Sequence, residues 1–351
     1  MPVVGILREL GVLWHFPERT ETDLYILLAS HRENLEARLG WQVSTEALVA
    51  DLAIAQGERL RSVAVRLAEG VVSAFIPAEL ESGPPTGQWH RELVAARETI
   101  QLFHTILVAV TGNPSGWTTL DRAIEIAQRE EARLFELHVL VEESDQTVAE
   151  EIQGDFERRC REAGVQSDLA FEHGNISEAL VARARWADLV ILPLNHPPEA
   201  SPRGRLGSGL RRVIRRIGRP ILAMPPVAET PTHGLLTYDG SPKAEEALFM
   251  AAYFAGQWEL RLTVLYVSRA AHTNQDPIIS ANEYLASHGV DATYVQEKGP
   301  VEDVILETAQ MHKCDLIIMG SYRTVPVLEV VLGSVLDSIL RQTHLPIMIC
   351  R

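Results

Sequence analysis

Cysteine is nearly missing from this chain. It occurs only at Cys160, Cys314 and Cys350, an odd and scattered set with no CxxC pair. That excludes a disulfide framework and a thiolate metal cage, and it fits a reducing, cytoplasmic compartment. Lysine is scarcer than its usual share, standing only at Lys243, Lys298 and Lys313, so arginine carries almost all the positive charge. With a net charge of −15, the surface as a whole is no match for nucleic acid. No apolar run reaches the roughly 18 residues a membrane helix needs. Arg8 and Glu9 interrupt the opening stretch MPVVGILRELGVLWHFPE, which is not the pattern of a secretory leader. The twelve histidines show no metal-ligand spacing. No Ser-His-Asp or Cys-His set falls on matching strand ends, so hydrolase chemistry has no support.

What is present is a soluble composition, 46% hydrophobic and 23% charged over 351 residues, enough for two or three domains. The last forty residues organise the rest. A short apolar run, Leu316 to Met319, ends on Gly320; Gly333-Ser334 then opens a helix, and Pro346 leads into a second apolar run, Ile347 to Cys350. Glycine lets a ligand approach the backbone, and a helix start offers unpaired N–H groups and the positive dipole end, which suits an anion.

The same layout occurs once before. Asp188 precedes Asp315 by 127 residues, Gly207-Ser208 precedes Gly333-Ser334 by 126, and Pro220 precedes Pro346 by 126. An offset of 126 or 127 at each of three anchors is a tandem duplication. Each copy alternates five apolar runs with four amphipathic stretches, which predicts a parallel sheet with right-handed crossovers and helices on both faces. Runs such as LTVLYV and LIIM suit strands buried on both sides. The domains expected are residues 1–100, mainly helical; 101–228, the first repeat; and 229–351, the second.

In an open parallel sheet, ligands sit beyond the carboxyl ends of the strands. Repeat two places Asp239-Gly240-Ser241 after its first strand, Gly320 after its fourth, and Gly333-Ser334 at its last helix. As a set, these residues resemble the universal stress protein family, whose nucleotide-binding members carry an Asp after the first strand and a Gly-x2-Gly-x9-Gly-Ser/Thr run after the fourth. The resemblance covers both repeats and leaves the first hundred residues unmatched. It implies two Rossmann-like α/β sandwiches of strand order 3-2-1-4-5, with last strands that pair across a two-fold, here as an intramolecular pseudo-dimer or a homo-oligomer. It implies ATP or another adenine nucleotide, with or without Mg2+, and at most slow hydrolysis. Residue by residue, Asp239 would accept from adenine, Tyr266 and Val267 would line the base, Gly320 would lie near the ribose, and Gly333 and Ser334 would hold phosphate.

The chain departs from that pattern in places. Arg323 stands where the second glycine belongs, with Pro326 beyond it, so a guanidinium either clamps the phosphate or blocks its path. Repeat one has Thr111 in place of Asp239 and Pro193 in place of Gly320, and is expected not to bind. The competing reading is a ligand-free interaction scaffold. A third, a DNA-binding regulator using residues 45–80, rests on a weak winged-helix pattern with Arg59, Arg61 and Arg66; the acidic balance of that segment favours a small helical cap instead. Arg211, Arg212, Arg215, Arg216 and Arg219 along repeat one's last helix are expected to form a solvated face, and Trp117 and Trp186 to pack. Residues from Glu81 to Glu92, rich in Gly and Pro, read as a linker.

Overall fold

The chain divides into two compact units, Met1–Ile76 and Pro77–Arg351. The computed structural model describes residues 86–89, 101–110, 112–140, 146–195, 197–200, 208–227, 229–268, 277–322 and 334–351, all within the second unit. The helical cap and the DNA-reader alternative, together with Thr111, Arg323, Pro326 and Gly333, lie outside the described residues.

Repeat one runs β1 (Thr105–Ala109), α1 (Pro114–Glu130), β2 (Arg133–Leu140), α2 (Gln146–Glu162), β3 (Ser167–His173), α3 (Ile176–Ala184), β4 (Leu189–Pro193), α4 (Gly209–Arg216) and β5 (Ile221–Met224). Repeat two follows with β6 (His233–Thr237), α5 (Pro242–Gln257), β7 (Arg261–Val267), α6 (Pro277–Ser287), β8 (Ala292–Glu297), α7 (Val301–Met311), β9 (Leu316–Gly320), α8 (Val335–Gln342) and β10 (Ile347–Cys350). All ten strands form one sheet in the order β3-β2-β1-β4-β5-β10-β9-β6-β7-β8, which is 3-2-1-4-5 twice over. Every pairing is parallel except the central one, where β5 and β10 run antiparallel, Leu222 facing Met348. Pairing the two last strands removes two apolar edges that would otherwise stand open.

Local sequence sets the element boundaries. Asn113 and Ser241 cap α1 and α5 by accepting from the N–H of Gly116 and Ala244, and Pro114 and Pro242 take first-turn positions where no donor is missed. One core layer packs α1, α2, α5 and α6 on one face of the sheet, through residues such as Leu120, Phe156, Phe254 and Leu285. The other packs α3, α4, α7 and α8 through Leu180, Val213, Ile305 and Ile339.

Two expectations fail. Trp186, just beyond α3, is 53% exposed and stands outside the core. Arg211 and Arg215 are not on a solvated face: both are buried, while Arg212, Arg216 and Arg219 are partly exposed. The presumed linker also contributes to the core, since Trp89 is buried and stacks on Phe103 with ring centroids 6.1 Å apart.

Candidate functional site

At the carboxyl end of β6 the chain turns sharply. Tyr238 is buried and its hydroxyl donates to Glu245 Oε1 at 2.5 Å. Burial first, and then Glu245, push its pKa up. The next residue, Asp239, points into solvent; its Oδ1 accepts from the N–H of Ser241 at 3.0 Å, which closes the turn. Gly240 has φ +73°, a conformation that favours glycine, and among the described residues an added Cβ there would meet nothing nearer than Pro277 at 3.8 Å.

Gly320, at the end of β9, has a packing reason for its missing side chain. A Cβ would sit 2.9 Å from Lys243 Cβ and 3.0 Å from its carbonyl carbon. The first turn of α5 therefore lies directly against the end of β9. Lys243 strengthens that contact by donating from Nζ to the backbone carbonyl of Tyr322. Between these two, Ser321 donates its N–H to the carbonyl of Cys350 at 2.7 Å. The Ser321 side chain is only 8% exposed, and its hydroxyl finds no hydrogen-bond partner among the described residues. An unsatisfied buried hydroxyl is uncommon in a native protein. Sequence reasoning passed over it because serine in a glycine-containing loop is unremarkable.

Ser334 caps α8, accepting from the N–H of Asp337 at 3.0 Å. Tyr266 and Val267 are half-buried at the end of β7. The structure thus gathers Asp239, Gly240, Ser241, Gly320, Ser321 and Lys243 around the ends of β6 and β9, with Val267 on the neighbouring strand and Ser334 opening the last helix.

The corresponding place in repeat one is built differently. At Gly112, φ +67°, an added Cβ would lie 2.7 Å from Ile152 Cδ1, so a buried isoleucine covers the turn that Gly240 leaves open. After β4, Leu194 donates its N–H to the carbonyl of Met224 at 2.7 Å, the same bond that Ser321 makes in repeat two. Leu194 presents an apolar side chain where Ser321 presents a hydroxyl, and Pro193 replaces Gly320. Among the described residues, no three His, Cys, Asp or Glu side chains converge on a point that could hold a metal ion. No described helix is long and apolar enough to cross a membrane.

Comparison with known proteins gives a consistent result. The family model "Universal stress protein family" matches twice, over residues 102–225 and 233–351. A universal stress protein, Slr1230, from Synechocystis sp. is 27% identical over 197 residues, covering 54% of this chain and 68% of that protein. A universal stress protein from Archaeoglobus fulgidus superposes with a TM-score of 0.62 at 18% identity, covering 72% of this chain and 97% of that one. A functionally unknown protein from Pseudomonas aeruginosa PAO1 gives 0.55 at 16% identity, covering 72% and 93%. At such identities the structural likeness speaks for the fold.

Proposed function

The chain belongs to the universal stress protein family, and on that premise we propose that it binds one adenine nucleotide per chain, ATP or a close relative, at the carboxyl ends of β6, β7 and β9 in repeat two. It works as a cytoplasmic binding module in stress response or signalling, with hydrolysis slow at most. The observation that carries this reading is the contrast between the two repeats. Among the described residues, repeat two keeps an exposed carboxylate at Asp239, a turn at Gly240 that no side chain covers closely, and a buried hydroxyl at Ser321 with no hydrogen-bond partner. Repeat one replaces the last two with Ile152 over Gly112 and with Leu194.

The atoms suit the roles. A carboxylate has about four lone-pair positions, so Asp239 can accept from an exocyclic amine while it still holds Ser241. The Ser334 hydroxyl accepts from Asp337 and can turn its own proton toward a phosphate oxygen. The helix start behind it adds N–H groups and a positive dipole end. Lys243 places a cation beside the strand end. Arg323 and Gly333 belong to the proposed site by sequence alone. Any Mg2+ would be held mainly by the nucleotide's own phosphates, as is usual for that ion. The three cysteines are free and buried, in keeping with a reducing compartment.

Mass spectrometry of small molecules released from the denatured, purified protein tests the reading. An adenine nucleotide is expected, present in wild type and depleted in Asp239→Ala. Equal nucleotide in both proteins would remove Asp239 from the site.

A further inference from the structure

The two-fold that relates the repeats passes through the pair Leu222 and Met348, which are counterparts in the duplication and face each other across β5 and β10. Close to a two-fold, each residue meets its own counterpart, so two identical domains would place like against like. Here the counterparts have diverged, and in complementary ways on both faces of the sheet.

On one face the pair is Arg211 and Asp337. Each is the third residue of its repeat's last helix, and each donates its N–H to the serine that caps that helix, Ser208 or Ser334. They are 126 residues apart, the spacing of the duplication, and both are 0% exposed. Arg211 Nη1 donates to Asp337 Oδ2. Tyr322 donates its hydroxyl to Asp337 Oδ1 at 2.5 Å, and its ring lies beneath the guanidinium groups of Arg211 and Arg215 at 4.4 and 4.7 Å. On the other face the pair is Glu130 and Trp258, which follow the α1 and α5 caps at equal distance and are 128 residues apart. Trp258 Nε1 donates to Glu130 Oε1 at 2.6 Å, and Tyr253 donates to Glu130 Oε2, also at 2.6 Å.

We propose that this joint is a recognition surface that accepts only the opposite kind of repeat. Its partner is a five-stranded domain with a carboxylate at the third position of its last helix, facing one with a guanidinium there. Two first repeats brought together would bury Arg211 against Arg211 and Glu130 against Glu130. Two second repeats would set Asp337 against Asp337 with no Arg211 to pair with either. A buried like-charge contact loses the Coulomb gain and keeps the whole desolvation cost. Divergence of the duplicate copies thus converts a surface that could pair with any copy of itself into one that pairs repeat one with repeat two. Discrimination of this kind needs a repulsive element as well as an attractive one, and the two faces supply both.

The test uses the full chain in four forms: wild type, Arg211→Asp, Asp337→Arg and the double exchange. Each single exchange creates a like pair and is expected to lower the thermal midpoint by roughly 10 °C. The double exchange restores opposite charges and is expected to recover at least half of that loss, although Tyr322 no longer meets its acceptor. Arg211→Met and Asp337→Leu serve as neutral references, and each is expected to fall less far than the like-charge form at the same position. If the single exchanges prove insoluble, a soluble double exchange carries the same meaning. A double exchange no better than the sum of the singles, or like-charge forms as stable as the neutral ones, would overturn the proposal.

Discussion

Lys243 donates from its ammonium to the backbone carbonyl of Tyr322, so the start of α5 and the chain leaving β9 are tied together at one point. That point also lies where Gly320 admits the backbone of Lys243. The first turn of α5 and the first residues beyond β9 thus hold each other in place. The Tyr322 side chain points the other way, into the joint with repeat one.

Gly320→Ala is expected to destabilise the protein, because the new methyl meets the Lys243 backbone, which cannot step aside as a flexible side chain would. Overpacking of this kind costs about 1–3 kcal/mol. Urea denaturation of the purified variant reads it directly; an unchanged midpoint would mean that α5 is free to move away from β9.

Tyr322→Phe removes the hydroxyl that donates to Asp337 while leaving the ring under both guanidinium groups. Burial, and next the Asp337 carboxylate, hold the pKa of this phenol well above its ordinary value of 10. A buried hydrogen bond to a charged group contributes about 1.5–3 kcal/mol, and the loss should be of that size. It should also be independent of pH between 6 and 9, a range checked by repeating the denaturation at several pH values.

Glu136 gives a pH dependence of its own. It is 1% exposed, neither carboxylate oxygen has a hydrogen-bond partner among the described residues, and burial raises its pKa to about 8 from an ordinary 4.5. Below pH 4.5 both folded and unfolded chains hold the proton, and Glu136 adds no pH dependence. From 4.5 to about 8 the folded protein keeps a proton that the unfolded chain has released, so stability falls as pH rises. Val264 pairs with the fourth residue of β6 just as Glu136 pairs with the fourth residue of β1. Glu136→Val should therefore flatten the profile and gain a few kcal/mol more at pH 8 than near pH 4.5. Parallel profiles for the two proteins would contradict this.

How much of this could be read in the sequence depends on periodicity. The inner strands are legible as apolar runs bounded by Gly, Pro and Asp, and the duplication follows from the nearly constant offset of its anchors. Pairing of Ile221–Met224 with Ile347–Cys350 also follows, since each run is apolar and last in its sheet. Arg211 and Arg215 were not legible, because arginines spaced along a helix face look the same whether that face meets water or a second domain. A signal did exist: Asp337 stands at the duplication offset from Arg211 with the opposite charge. Trp89 was hidden by its Gly- and Pro-rich neighbours, although an indole in a linker is itself a reason to look for a core. Glu136 within RLFELHVL was a polar interruption whose counterpart, Val264, is apolar.

Arg323→Gly restores the glycine of the family pattern. If the guanidinium contributes a charge-assisted hydrogen bond to phosphate, worth about 1.5–3 kcal/mol, the variant should bind ATP roughly tenfold or more weakly. Titration of ATP into both proteins decides it: tighter binding by the glycine form would identify Arg323 as an obstruction instead.

Calorimetric titration of ATP and AMP into the full chain tests the central claim most directly. We expect one site per chain, abolished by Asp239→Ala, weakened by Ser321→Ala and unaffected by Leu194→Ala in repeat one. Two sites per chain, or binding that survives loss of Asp239, would contradict a single site in repeat two, and no binding of either nucleotide would leave the repeats as a scaffold.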